Sequence, residues 1–188
     1  MMYSNKLQKA IKFAIKVHQG QTRKGKDESY IVHPLAVGLI LARVTNDEDI
    51  IIAGILHDTI EDCKPYGSIT KELIVKEFGE NVAEMVNDAT EQDKSLPWIE
   101  RKRLALEHIP QMSEGSLLVK SADVLHNMVD QIADYKVDGD AMFEKFNAGK
   151  DKQLKRYENL VEKINKSYPN NPLGEDLELN LKELQKLW

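Results

Sequence analysis

Apolar residues recur along this chain at intervals of three and four, and the predicted elements follow from that rhythm. Leu7, Ala10, Ile11, Ala14, Ile15 and Val17 lie at helical spacing between Lys and Gln, which predicts an amphipathic helix stopping near Gly20. The stretch QGQTRKGKDESYIV then has two glycines, many charges and no period, so it reads as a loop. HPLAVGLILARV predicts a helix with proline in its first turn. TNDEDIIIAGILHDTIEDC opens with capping residues at Thr45 to Asp47. Its β-branched run at 50–52 would suit a strand, but the apolar pattern runs on to Leu56 without a turn signal and predicts a buried helix. KPYGS predicts a turn, and TKELIVKEFG and ENVAEMVNDATEQ two further helices. DKSLPWIERKRLALEHIP predicts a loop and then a helix from about Pro97. EGSLLVKSADVLHNMVDQIADYKV predicts a long amphipathic helix, followed by a second long segment interrupted near Gly149. PNNPLGED reads as a linker, and LELNLKELQKLW places Leu177, Leu181, Leu184 and Trp188 on one face.

Convincing alternation of period two is missing throughout. The pattern predicts an all-α bundle of about eight to ten helices without internal repeats. The expected division is a domain over 1–168 and a linker with a C-terminal amphipathic helix over 169–188. That helix has a stripe suited to packing back on the domain, docking on a partner, or pairing with a second copy in a homo-oligomer.

Composition narrows the function classes. The 188 residues are 41% hydrophobic and 30% charged, enough for a sizeable core. The formal net charge of -5, with no dominant basic stripe, disfavours a nucleic-acid partner but leaves small anionic substrates open. The single cysteine, Cys63, excludes an internal disulfide and suits a reducing compartment. No apolar stretch is long enough for a membrane span, and Lys6, Lys9, Lys12 and Lys16 break up any signal-peptide core. A cytoplasmic location is expected.

The candidate chemistry sits where the buried helix ends. On a continued helix His57 and Glu61 share a face, as do Asp58 and Asp62. His33 opens a helix after the charged loop, and Asp123 lies among apolar neighbours in LLVKSADVLHN. Taken singly these are ordinary: a helix-start histidine, a chance His-Asp pair, a solvated acidic turn. Asp123 is the exception, because a buried carboxylate is costly unless it is paired or bound to a cation. Two imidazoles with two carboxylates suit a divalent ion such as Mn, Fe, Zn, Co or Ni.

The order His33, His57-Asp58, Asp123 resembles the HD superfamily of metal-dependent phosphohydrolases. HQGQTRKGKDESYIVHPLAV, ILHDTIEDC, DKSLPWIERKRLALEHI and VKSADVLHNM are similar to the hydrolase domain of the RelA/SpoT alarmone enzymes, above all its stand-alone small form; the likeness spans roughly residues 3–165. It implies an all-helical bundle and a metal, usually Mn2+, on His33, His57, Asp58 and Asp123. It implies that Glu61 and Asp62 handle the attacking water and leaving group, and that Arg23, Lys24 and Asn127 contact a small nucleotide substrate. The implied reaction removes the 3′-pyrophosphate of guanosine 3′,5′-bis(diphosphate). Arg23 suits that polyanion by a bidentate clamp and Lys24 by a point charge.

The chain departs from the resemblance at Val129 and Asp130, where arginine and threonine are frequent, and at Cys63, where threonine is. Arg156 or a neighbouring lysine of 150–155 is a candidate replacement for the missing cation. His18, His108 and Cys63 are read as structural, with nothing pairing the two histidines; His126 as supporting or core. Two other readings fit the same residues: a phosphatase on NADPH or another nucleotide, and a non-catalytic nucleotide sensor.

Overall fold

A segment apolar on every side must be surrounded, and Ile51–Leu56 is such a segment. The computed structural model describes residues 4–62, 69–91, 95–145 and 148–188, with the side chains of Glu61, Asp62 and Lys145 outside that description. In it, 51–56 form the buried body of helix α3 (Glu48–Leu56). Asp47 starts this helix, its carboxylate accepting from the Asp49 amide at 2.9 Å. Helices α1 (Asn5–Val17) and α2 (Val32–Val44) pack against α3, as do α6 (Glu80–Ala89) and α8 (Glu114–Asp138). Helices α4 (Thr59–Asp62), α5 (Lys71–Phe78), α7 (Trp98–His108), α9 (Lys150–Ser167) and α10 (Gly174–Leu187) complete the bundle. Among the described residues there are ten α-helical segments and no strand, only an isolated bridge between Thr22 and Ser29. The all-α expectation is borne out. The turn expected at 64–68, and Cys63, lie outside the described residues. No described helix is long and apolar enough to cross a membrane.

The sequence predicts an unbroken helix through His57 and Asp58, and here the structure differs. Helix α3 ends at Leu56 and the single turn α4 begins at Thr59. His57 Nδ1 is 2.7 Å from the Gly54 carbonyl, and Thr59 Oγ1 donates to the Leu56 carbonyl at 2.7 Å. These side chains occupy two carbonyls that a continuing helix would give to the amides of residues 58 and 60. The His-Asp pair therefore sits at a corner between two helices.

The stretch from 169 to 173 is a packed corner. Asn171, only 9% exposed, donates to Ser121 Oγ on α8 at 2.8 Å and accepts from the Leu173 amide at 3.0 Å. Leu173, Leu177 and Leu184 are buried in the common core, with α10 lying on α8 and α9. The apolar stripe of the terminal helix is thus covered within the chain.

Helices α2 and α3 approach closely because a glycine faces each crossing partner. A Cβ on Gly38 would stand 2.6 Å from Ile55 Cγ1, and one on Gly54 would stand 2.2 Å from Leu41 Cδ1. Overpacking of this kind costs about 1–3 kcal/mol, and alanine returns about 1 kcal/mol of helix propensity. Gly54→Ala is therefore expected to destabilise the protein by up to about 2 kcal/mol. Chemical denaturation checks this; an unchanged or raised stability would mean that the crossing has slack.

Candidate metal centre and cleft

Three separate elements bring the predicted donor atoms to one place. His33 enters from the first turn of α2, His57 and Asp58 from the corner after α3, and Asp123 from the middle of α8. His33 and His57 are each 2% exposed. Their Nε2 atoms lie 3.2 Å apart. Asp58 Oδ2 is 3.5 Å from His33 Nε2 and 3.2 Å from His57 Nε2. Asp123 Oδ1 stands 3.4 and 3.8 Å from the same two nitrogens. An ion held by bonds of about 2.1 Å keeps its donors about 3–3.5 Å apart, so His33, His57 and Asp58 suit a divalent cation, and Asp123 stands beside both imidazoles. His33, His57 and Asp58 by themselves offer donors all within 4.8 Å of one another.

The surrounding contacts fix each donor. His57 Nδ1, as N–H, bonds the Gly54 carbonyl, which leaves the Nε2 lone pair facing the site. His33 Nδ1 meets His126 Nδ1 at 2.9 Å. Burial and the nearby His33 lower the His126 pKa to about 4, so at neutral pH it is an uncharged acceptor for His33. The Tyr30 hydroxyl donates to Asp58 Oδ2 at 2.6 Å. Lys120 and Asn127 both donate to Asp123, at 2.9 and 2.6 Å. Sequence reasoning left His126 between supporting and core roles and missed Tyr30 and Lys120. Lys120 has a signal, three residues before Asp123 on one helix; Tyr30 has none beyond its place in the loop.

The loop over 20–31 is fastened to α8. Its own frame is closed by the Thr22–Ser29 bridge and by Arg23 N donating to the Glu28 carbonyl at 2.8 Å. Arg23 reaches Asn127 at 3.1 Å and Asp130 at 2.8 Å, while Lys26 pairs with Asp130 at 2.6 Å and Asp134 at 2.7 Å. Burial opposes the charge on Arg23 and Lys26, but Asp130 outweighs it and raises both pKa values. The departure at Asp130 thus anchors the 20–31 loop through Arg23 and Lys26, while Val129 is exposed.

His33, Asp58 and Asp123 line a cleft of about 220 Å³ together with Arg23, Tyr30, Arg101, Lys102 and Arg156. Glu91 pairs with Arg101 at 2.6 Å and with Lys102. Burial and the neighbouring Arg156 lower the Lys102 pKa, which marks crowded positive charge. Lys24 lines an adjoining pocket that shares Lys102, Asp123, Asn127 and Arg156 with this cleft. The backbones of Glu61 and Asp62 form α4 beside Asp58, but their side chains lie outside the described residues. His18 and His108 do have partners, correcting the sequence reading: His18 Nδ1 meets Gln21 at 2.7 Å and stacks on Tyr30, and His108 meets Asp88 at 3.0 Å. Their roles there are structural.

A helical bundle in which two buried histidines and two partly exposed aspartates gather beside a cleft rich in arginine and lysine defines a class of protein, and the comparisons agree. A family profile for the HD domain matches residues 10–140, and the chain belongs to that family. Among curated proteins, the guanosine-3′,5′-bis(diphosphate) 3′-pyrophosphohydrolase MESH1 of Xenopus tropicalis is 42% identical over 124 residues, covering 64% of this chain and 66% of that protein. The human MESH1 is 40% identical over 66% of this chain and 68% of its own length. The Vibrio cholerae enzyme with the same activity in its name is 39% identical over 59% of this chain, a stretch that is 16% of its length. A solved metazoan orthologue of SpoT, described as hydrolysing ppGpp, superposes with a TM-score of 0.79 at 28% identity, covering 99% of this chain and 97% of that one. The HD domain family and this donor set imply a divalent metal.

The same carboxylates act on the protonation of His57. Burial opposes it, but the carboxylates of Asp58 and then Asp123 raise the His57 pKa from 6.5 to about 9. Burial raises both carboxylates, yet His57 beside Asp58 and Lys120 beside Asp123 outweigh it and hold both below the ordinary 3.8. The raised imidazole stabilises the fold below pH 6.5 and loses that effect as pH passes about 9. The lowered carboxylates stabilise above 3.8 and lose it as pH falls further. A bound divalent ion needs His57 neutral, so its stabilisation is expected to grow with pH. Thermal melts at about pH 5, 7 and 9, with chelator or excess divalent ion, check this. An equal rise in Tm at all three would contradict the ligand set.

Proposed function

We propose that this chain is a metal-dependent pyrophosphohydrolase that removes the 3′-pyrophosphate of guanosine 3′,5′-bis(diphosphate). One observation carries the reading: His33, His57, Asp58 and Asp123 converge within 3.2–3.8 Å contacts at the foot of a cleft rimmed by arginine and lysine. The names of the MESH1 and SpoT relatives support it. The four residues are the ligands, and Mn2+ is the proposed ion. When bound, a divalent ion supplies Lewis acidity, which lowers the pKa of water and withdraws charge from a phosphoryl oxygen. The chain's own residues do the rest. Arg23, held by Asn127, binds phosphate oxygens of the 3′-diphosphate under attack, with Lys24 adding charge nearby. Glu61 orients the attacking water and takes its proton, and Asp62 assists at the departing ribose oxygen. Water oxygen bonds to phosphorus as the bond from phosphorus to the 3′ oxygen breaks. The products are pyrophosphate and guanosine 5′-diphosphate, the proton ending on the 3′-hydroxyl. The lone cysteine and net charge of -5 support a cytoplasmic location without a nucleic-acid partner.

Metal analysis of the purified protein, followed by phosphorus NMR of digests, tests the reading. Guanosine 3′,5′-bis(diphosphate), NADPH and nucleoside monophosphates form the panel. Manganese-dependent release of intact pyrophosphate from the first is expected. Asp123→Asn is expected to reduce metal affinity about 10–100-fold, and Glu61→Gln to reduce turnover about 100-fold or more with metal retained. Orthophosphate released from NADPH alone would mark a phosphatase, and nucleotide binding without turnover a sensor.

A further inference from the structure

Arg23 is the loop cation assigned to the phosphates of the substrate, yet its guanidinium is already occupied. Nη2 donates to Asn127 Oδ1 at 3.1 Å and to Asp130 Oδ2 at 2.8 Å. Those two bonds take both hydrogens of that nitrogen. A guanidinium grips two oxygens at once through Nη2 with Nη1 or through Nη2 with Nε. Each fork needs one of the Nη2 hydrogens. A bidentate phosphate therefore reaches Arg23 only when Asn127 or Asp130 lets go.

The neighbours decide which one does. Asn127 is tied to the donor set, since its Nδ2 donates to Asp123 Oδ1 at 2.6 Å. Asp130 has a second cation. Lys26 Nζ meets its other oxygen, Oδ1, at 2.6 Å and also meets Asp134 at 2.7 Å. A carboxylate leaving Arg23 thus stays paired. It is also an anion, which an arriving phosphate repels, whereas the Asn127 carboxamide is neutral. The side chains of Arg23, Lys26, Asp130 and Asp134 are 14–21% exposed, so solvent screens these charges less than at an open surface.

We propose that Asp130 is a built-in competitor for phosphate at Arg23: an incoming phosphoryl group takes the Nη2 fork by displacing the carboxylate onto Lys26. Asp130 then lowers the affinity for phosphate, and Lys26 with Asp134 keeps the loop fastened while Arg23 changes partner. The same competition eases departure of a pyrophosphate product. The inference rests on the phosphohydrolase reading for making Arg23 a phosphate contact. A carboxylate that only anchors the loop has the opposite signature, because its removal would loosen Arg23 and weaken binding.

Calorimetric titrations of the whole chain with inorganic pyrophosphate, at one buffered level of free Mn2+, separate the two. Asp130→Asn keeps an acceptor for Arg23 but drops the charge, and is expected to tighten pyrophosphate binding by at least about fivefold. Asp134→Asn removes an equal charge from the same helix without touching Arg23, and should change the affinity by less than about twofold. Arg23→Gln should weaken binding by about tenfold or more, and Asp130→Asn added to it should bring no gain. Should Asp130→Asn not fold, Asp130→Ser decides by the same criterion. Unchanged or weaker binding in the folded neutral variant overturns the proposal, as does an equal gain from Asp134→Asn or a gain that survives without Arg23. Binding indifferent to Arg23→Gln overturns both the competitor and the phosphate role of Arg23. Turnover is scored separately. Pyrophosphate release from guanosine 3′,5′-bis(diphosphate) with no gain in Asp130→Asn sinks the competitor alone, and the gain without turnover sinks the hydrolase reading alone.

Discussion

Two imidazole nitrogens 3.2 Å apart, with two carboxylate oxygens within 3.8 Å of them, make an arrangement that needs positive charge at its centre. Without it the carboxylates lie in a poorly solvated hollow, offset chiefly by Lys120 beside Asp123 and by His57 beside Asp58. This demand organises the molecule. The donors come from α2, the corner after α3, and α8, so the core packing among those three helices is also the packing that sets ligand separations. A bundle built around a single apolar helix suits the task, because α3 is gripped from all sides and its end cannot drift.

Local chemistry then aims the groups. Despite the interruption of the helix at His57-Asp58, both side chains reach His33, His57 Nε2 at 3.2 Å and Asp58 Oδ2 at 3.5 Å from its Nε2. The carbonyl of Gly54 holds the His57 ring, and the same glycine lets Leu41 close on α3. Backbone, ring orientation and core contact therefore meet in one residue. The fastening of the loop by Asp130 and Asp134 holds Arg23 in place at the cleft, so little ordering is left for that side chain.

Much of this was legible beforehand, because periodicity reports burial. The helices, the capping at Asp47, the stop at Gly79 and the break before Lys150 all follow from local patterns. The odd burial of Asp123 and the order of the two histidines pointed to a cation. What stayed hidden depends on distance in space. Nothing near Tyr30 in the chain announces Asp58, and nothing near Asp130 announces Arg23, 107 residues away. PNNPLGED carries the composition of a tether, and only the Asn171 contact to Ser121 makes it a corner. Gln153 sits among charges that predict a wet face, yet it is buried.

Lys120, Asp123, Asn127, Asp130 and Asp134 form one line down α8, spaced by three or four residues. That helix is in effect a common rail: it carries a donor, the groups that steady it, and the moorings of the loop. Inserting or deleting one residue between 120 and 134 would swing everything beyond by about 100° and detach several connections together. The molecule therefore tolerates changes of side chain on the outer face of the rail, at Val129 or Val137, far better than any change in its length.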